Sequence, residues 1–246
     1  MPHHLFGYLD GVTPCSAARW AADARGAIAH AHATGKTPIL VGGSGLYIRT
    51  LLDGIAPIPE VSRELRTQIR AMPVEQAYAA LQHYDAPVAA SLAPTDISRI
   101  TRALEVVQST GRSISEWRKA KTGGVGDSIT LRPLLLLPPR DWLYKRCDNR
   151  FEIMMERGAV AEVEALLLRN LPQDAPVMRA IGVSEISAYL NGNLQHDEAI
   201  ARGKIATRQY AKRQFTWFRN QAPIAWPRIE LEINDSNAGN FETIFQ

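Results

Sequence analysis

The sequence predicts an α/β protein, and three observations carry that prediction. Thr37-Pro38-Ile39-Leu40-Val41 is a short apolar run bounded by glycines, the pattern of a strand buried on both faces of a parallel sheet. The turn Gly42-Gly43-Ser44-Gly45 follows it directly and feeds an apolar helical stretch from Leu46 to about Leu52. A polar-rich, mostly helical region from Ser62 to about Thr122 then separates this unit from a second strand candidate, Ile129 to Leu137. The division that follows is a core made of residues 1–57 and 128–246, with a helical insertion at 58–127.

Each element has its own signal. Ser16 is an N-cap for a helix whose apolar stripe runs Trp20, Ala24, Ala27, Ile28 and Ala31, and Gly35-Lys36 ends it. Inside the insertion, Tyr84-Asp85-Ala86-Pro87 and Ala93-Pro94-Thr95-Asp96 read as loops, the second placing Asp96 as a helix cap. Pro133 puts a bulge or an edge into the second strand. A long helix is expected from Asp141, as N-cap, to about Arg157, and Gly158 kinks the chain before another from Ala159 to about Arg169. Further helices run from Gly182 to Leu190 and from His196 or Asp197 to about Arg219. Arg228 to Ile233 is a last strand candidate.

Composition narrows the function classes. The chain has 246 residues, enough for a sizeable core, and its 46% apolar and 22% charged content is ordinary for a soluble globular protein. It has no apolar run long enough to span a membrane, and its first residues lack the basic-then-apolar pattern of a signal peptide, so a cytoplasmic protein is expected. Cys15 and Cys147 are two distant thiols, too few for a disulfide framework or a zinc site. His30 and His32 splay apart on a helix, and His3-His4 has no further ligands, so no histidine metal site is expected. The net charge of +3 is modest, but Arg202, Lys204, Arg208, Lys212, Arg213 and Arg219 fall in one stretch without an acidic residue.

Four features can carry chemistry. The turn at Gly43-Ser44 sits at a helix N-terminus, where unpaired N–H groups and the Ser44 hydroxyl suit a phosphate or diphosphate oxygen. The plainer alternative is a strand–helix turn needing glycine for its backbone angles. No Gly-x-x-x-x-Gly-Lys-Ser/Thr phosphate loop occurs anywhere in the sequence. Lys204, Arg208 and Lys212 repeat every four residues along one helix face, beside Tyr210, Phe215, Trp217 and Phe218. Cations and rings together suit RNA phosphates and unpaired bases. An amphipathic helix with a solvated basic side and buried rings explains the same residues. Arg99 and Arg102 share a face near a helix start, where cations oppose the dipole, which hints at an anion. Arg146 and Arg150 lie one turn apart and suit phosphate oxygens, or pair with Asp148 and Glu152.

In order and spacing these segments are similar to bacterial tRNA dimethylallyltransferases. The resemblance rests on Pro2-His3-His4-Leu5, Ser16-Ala17-Ala18, Pro38-Ile39-Leu40-Val41-Gly42-Gly43-Ser44-Gly45-Leu46-Tyr47, Arg99-Ile100-Thr101-Arg102-Ala103-Leu104-Glu105-Val106, Ala180-Ile181-Gly182 and Thr207-Arg208-Gln209-Tyr210-Ala211-Lys212-Arg213-Gln214-Phe215-Thr216-Trp217. It covers residues 2 to about 226. It implies a P-loop-type parallel-sheet core with a helical insertion gripping the tRNA anticodon stem-loop. The implied reaction moves a dimethylallyl group from dimethylallyl diphosphate to N6 of the adenosine 3′ of the anticodon, with Mg²⁺ assisting the leaving group. A monomer and no membrane partner are implied.

The resemblance also implies site residues. Gly43 and Ser44 match a strand-end glycine–threonine pair near the diphosphate and target base, with serine in place of threonine. Arg150 matches an arginine that neutralises diphosphate as the carbon–oxygen bond breaks, and Arg208 shares that role. Arg66, Ser98, Arg99, Arg102, Arg179, Lys212, Arg213, Gln214, Trp217 and Arg219 match tRNA-contacting positions. Two departures stand out: Ser98 replaces a glutamine, and Val183-Ser184 replace a tyrosine and a basic residue. The family's phosphate loop, with its Mg²⁺ ligand, and its general-base aspartate precede the stretch corresponding to Pro2. The core is therefore expected to lack its first strand, and these residues alone to be inactive or to act as a tRNA-binding remnant. A small-molecule kinase of related fold is a third reading, one that gives the basic–aromatic helix no task.

Overall fold

The computed structural model describes residues 2–234. In chain order the helices are α1 (Ala17–Ala33), α2 (Gly45–Asp53), α3 (Arg63–Arg70), α4 (Val74–Tyr84), α5 (Ala86–Ala90), α6 (Ile97–Thr110) and α7 (Ile114–Trp117). Then come strand β1 (Leu135–Leu136), helices α8 (Arg140–Glu156), α9 (Ala159–Leu168), α10 (Val183–Leu190) and α11 (His196–Gln221), and strand β2 (Arg228–Ile229). The chain divides into two compact units, residues 1–48 with 130–246, and Arg49–Ile129.

The Arg49–Ile129 unit is helical and built around α6. Asp96 caps α6 by accepting from the Arg99 N–H at 3.2 Å, and Gly111 ends it in the left-handed region. Ile100, Ala103, Leu104 and Val107 follow the three-four spacing of an amphipathic helix and are buried. They pack with Ile69 of α3, Ala77 and Leu81 of α4, Val88 and Ala89 of α5, and Ile114 of α7 in one cluster.

In the other unit, Ser16 caps α1 as expected, accepting from the Arg19 N–H at 3.1 Å. α8 packs along α11, and Phe151, Met155, Val163, Val183 and Ile186 make a core shared with α9 and α10. Gly203 of α11 has the Phe151 ring where a Cβ would stand, so glycine is what lets the two helices approach. Gly158, at φ 108°, breaks the chain between α8 and α9 where the sequence placed a kink. β1 and β2 pair in parallel, Leu135 opposite Arg228 and Leu136 opposite Ile229. Leu135, Leu137 and Ala222 are buried there against Phe215, Phe218 and Trp226.

Three expectations change. The described chain is helical with a small parallel sheet, and β1 and β2 are each far shorter than the strands predicted over 129–137 and 228–233. Residues 37–41 form no ladder among the described residues, and Val41 is 80% exposed. An apolar run becomes a strand only beside a neighbour whose N–H and C=O groups complete its own, and no described segment supplies them. Asp141 lies within the first turn of α8 rather than capping it, because Pro139 takes the cap position without a side-chain bond. Proline loses nothing at a helix start, where its missing N–H would be unpaired anyway. None of the described helices is long and apolar enough to cross a membrane.

Candidate diphosphate and nucleic-acid site

The turn before α2 is seated on α11. A Cβ on Gly43 would overlap the Gln214 amide, and one on Gly45 would overlap the Trp217 ring, so both positions require glycine by proximity. Ser44 is exposed, and its carbonyl accepts from the N–H groups of Tyr47 at 2.9 Å and Ile48 at 3.1 Å. Its hydroxyl therefore stands at the N-terminus of α2, where the helix dipole favours an anion. Tyr47 ties the turn to the start of α1: its O–H donates to the Cys15 carbonyl at 2.8 Å, and its ring lies 5.4 Å from Trp20. Burial pushes the Tyr47 phenol above its usual value, so the hydroxyl remains a donor.

Of the cations on α11, Lys212 and Arg213 are exposed. Arg213 lies over the Tyr210 ring at 5.6 Å, and Lys212 forms no ion pair among the described residues. The face that Lys204, Arg208 and Lys212 were expected to present as one is divided. Lys204 pairs closely with Glu152, and Arg208 donates to Asp148 at 2.7 Å. The acids of α8 thus serve α11 instead of Arg146 and Arg150. Arg146 lies over the Trp142 ring at 4.8 Å, while Arg150 is exposed and forms no ion pair among the described residues. Arg219 lines a groove of about 350 Å³ with Pro139, Arg140, Phe215 and Glu230. Arg179 is exposed at the end of a short 3-10 turn, Pro176–Arg179.

Cys147 marks where Arg150 and Arg208 meet electrostatically. Burial raises its thiol pKa most, the Asp148 charge raises it further, and Arg150 and Arg208 both act to lower it. A raised thiol pKa stabilises the fold fully below the unfolded value, and that contribution is lost as pH rises through the folded value. Cys147 is accordingly expected to react with iodoacetamide at pH 8 several-fold more slowly than a small free thiol. Mass-spectrometric rates on the native protein check this; equal rates would show the thiol unperturbed.

The remaining predicted positions lie in the Arg49–Ile129 unit. Arg99 pairs with its own cap, Asp96, at 3.4 Å. Ser98 is exposed. Arg66 is half-buried, with its Nε buried and without a hydrogen-bond partner. Arg102 is held at 3.3 Å by Glu105, which also accepts from Arg70 at 2.9 Å. Sequence reasoning missed Arg70 and the roles of Glu105 and Asp148. The one readable signal was Glu105 three residues after Arg102. At the altered Ile181-Gly182 segment, Val183 is buried and the Ser184 hydroxyl donates to Glu185 at 2.9 Å, so both serve the start of α10. No three His, Cys, Asp or Glu side chains converge as metal ligands among the described residues, and none is assigned to Mg²⁺ here.

The family model described as IPP transferase matches residues 1–221. The tRNA dimethylallyltransferase of Novosphingobium aromaticivorans is 60% identical over 238 residues, covering 97% of this chain and 85% of that protein. The one from Sphingopyxis alaskensis is 58% identical, covering 97% and 79%. A crystal structure of the tRNA isopentenylpyrophosphate transferase of Bacillus halodurans matches with a TM-score of 0.62 at 30% identity, over 99% of this chain and 80% of that one. A eukaryotic dimethylallyltransferase captured acting on tRNA matches with a TM-score of 0.72 at 27% identity, over 89% and 56%. A family match over most of the chain, joined to relatives this similar across nearly all of it, shows that the chain belongs to the IPP transferase family.

Proposed function

We propose that this chain acts in tRNA prenyl transfer, moving a dimethylallyl group from dimethylallyl diphosphate to N6 of the adenosine 3′ of the anticodon. The observation that carries the reading is the seating of Gly43-Ser44-Gly45 on Gln214 and Trp217, beside the exposed cations Lys212 and Arg213. A hydroxyl at a helix N-terminus, an aromatic side chain and unneutralised cations then lie on adjoining parts of one unit. That combination suits a diphosphate next to an extruded base.

In the reaction the N6 amine forms a bond to the allylic carbon as the carbon–oxygen bond breaks, diphosphate leaves, and the amine gives up a proton. Arg150 offsets the charge that builds on the departing diphosphate. The Ser44 hydroxyl donates to a diphosphate oxygen or to the target base. Arg208, held by Asp148, adds a fixed positive charge near Cys147. None of these residues is the base that takes the amine proton. Mg²⁺, when bound, supplies further charge neutralisation at the diphosphate, and its ligands are not drawn from the residues assigned here. Arg66, Ser98, Arg99 and Arg102 of the helical unit, with Arg179, Lys212, Arg213, Gln214, Trp217 and Arg219, hold the anticodon stem-loop. The protein acts as a cytoplasmic monomer on a parallel-sheet core of P-loop type, of which β1 and β2 are part.

The direct test is the double variant Lys212→Glu with Arg213→Glu. Both residues are exposed, so the fold should tolerate the change. Affinity for an anticodon stem-loop transcript is expected to fall roughly 10–30-fold, with the slope of log K against log salt shallower by about two. Unchanged affinity would remove RNA from the reading and leave a small-molecule enzyme.

A further inference from the structure

The charged cluster on α3 and α6 assigns a residue and a supporting shell beyond those already named. Glu105 is 1% exposed, yet its two oxygens go to two arginines that reach solvent. Oε1 accepts from Arg70 Nε at 2.9 Å, and Oε2 accepts from an Arg102 terminal nitrogen at 3.3 Å. The arginine side chains are 61% and 43% exposed. Each guanidinium carries five N–H donors, so each has donors left after this bond. Arg70, Ser98, Thr101, Arg102 and Ile97 line an open groove of about 430 Å³ in the same unit.

Burying a carboxylate to grip two half-solvated cations is a poor way to gain stability, because desolvation generally outweighs the Coulomb return. What such an arrangement does secure is orientation: two forks fixed against one buried anchor, both side chains lining one groove. Guanidinium forks match phosphate oxygens, and preorganising them lowers the entropy lost on binding. We infer that Arg70 and Arg102 form a clamp for a backbone phosphate of the RNA, with Arg70 a contact residue and Glu105 the positioning residue that aims both. This rests on the tRNA reading above and deepens it.

Three variants of the whole chain test the clamp against an anticodon stem-loop transcript. Arg70→Ala, at an exposed position, is expected to weaken binding roughly 3–10-fold and to make the salt slope shallower by about one. Arg70→Lys keeps the charge but loses the fork, and should still bind more weakly than the parent. Glu105→Gln decides the positioning role by sign. Removing a negative charge beside the RNA would tighten binding if only net charge mattered, whereas loss of aim weakens it. A merely structural Glu105 would alter the melt and leave affinity in place. Parent-like affinity for Arg70→Ala or Arg70→Lys, or binding by Glu105→Gln as tight as the parent's or tighter, overturns the clamp. If these fail while the Lys212→Glu, Arg213→Glu protein still loses RNA, the clamp alone is wrong; if that double variant also binds normally, the RNA reading itself is.

Discussion

Alanine at Gly203 is expected to lower the melting temperature of the α8–α11 unit by roughly 6–12 °C, the equivalent of about 3 kcal/mol. The added methyl would coincide with the Phe151 ring, which is fully enclosed by the α8, α10 and α11 packing. Neither partner can yield cheaply: one is helix backbone, the other a rigid ring in a dense core. Phe151→Leu should rescue the alanine variant, making the double variant less destabilised than the two single changes added together. Calorimetry on the three proteins measures this directly. A Gly203→Ala melt within about a degree of the parent would mean the helices are not in contact there.

Arg150→Ala is expected to slow prenyl transfer about 10²-fold, close to 2.7 kcal/mol of lost transition-state stabilisation. Arg150 is exposed and unpaired by any acid among the described residues, so its removal leaves no buried charge behind and should barely change stability. The loss should appear in the rate more than in RNA affinity, because diphosphate charge grows only as the bond breaks. Single-turnover transfer from labelled dimethylallyl diphosphate, with enzyme in excess, resolves even slow rates. Arg150→Lys should recover part of the rate, since a point charge replaces a fork. A parent-like rate for the alanine variant would remove Arg150 from the reaction.

Much of this could be read from the sequence because the signals were local. Ser16 and Asp96 announced their helices as caps do, and Gly158 marked its break. What escaped was whatever depends on a distant partner. The run Ile39-Leu40-Val41 looks like a strand, but ladder formation is decided by a neighbour the run itself does not specify. The same holds for charge. Four-residue spacing put Lys204, Arg208 and Lys212 on one face, but only packing revealed that α8 answers two of the three. Glu105 is plain in the segment 99–106, yet its burial, which gives it meaning, depends on the packing of α3 and α6. Gly203, a lone helical glycine, reads in the sequence as a small propensity cost; only the ring opposite it gives it a task.

The Gly203 notch also bears on the register in which charges pair across the helices. Asp148 meets Arg208 and Glu152 meets Lys204, so α8 and α11 run in opposite directions, with Phe151 set against Gly203, the residue next to Lys204. If α11 slid by one turn so that Glu152 met Arg208, Asp148 would come opposite Lys212, and both bridges would survive. Coulomb attraction cannot tell that alignment from the native one. The ring can, because it would then face Thr207, where no gap exists for it. A hydrogen-sized vacancy thus favours one of two alignments that would each keep two bridges, and the native one leaves Lys212 exposed.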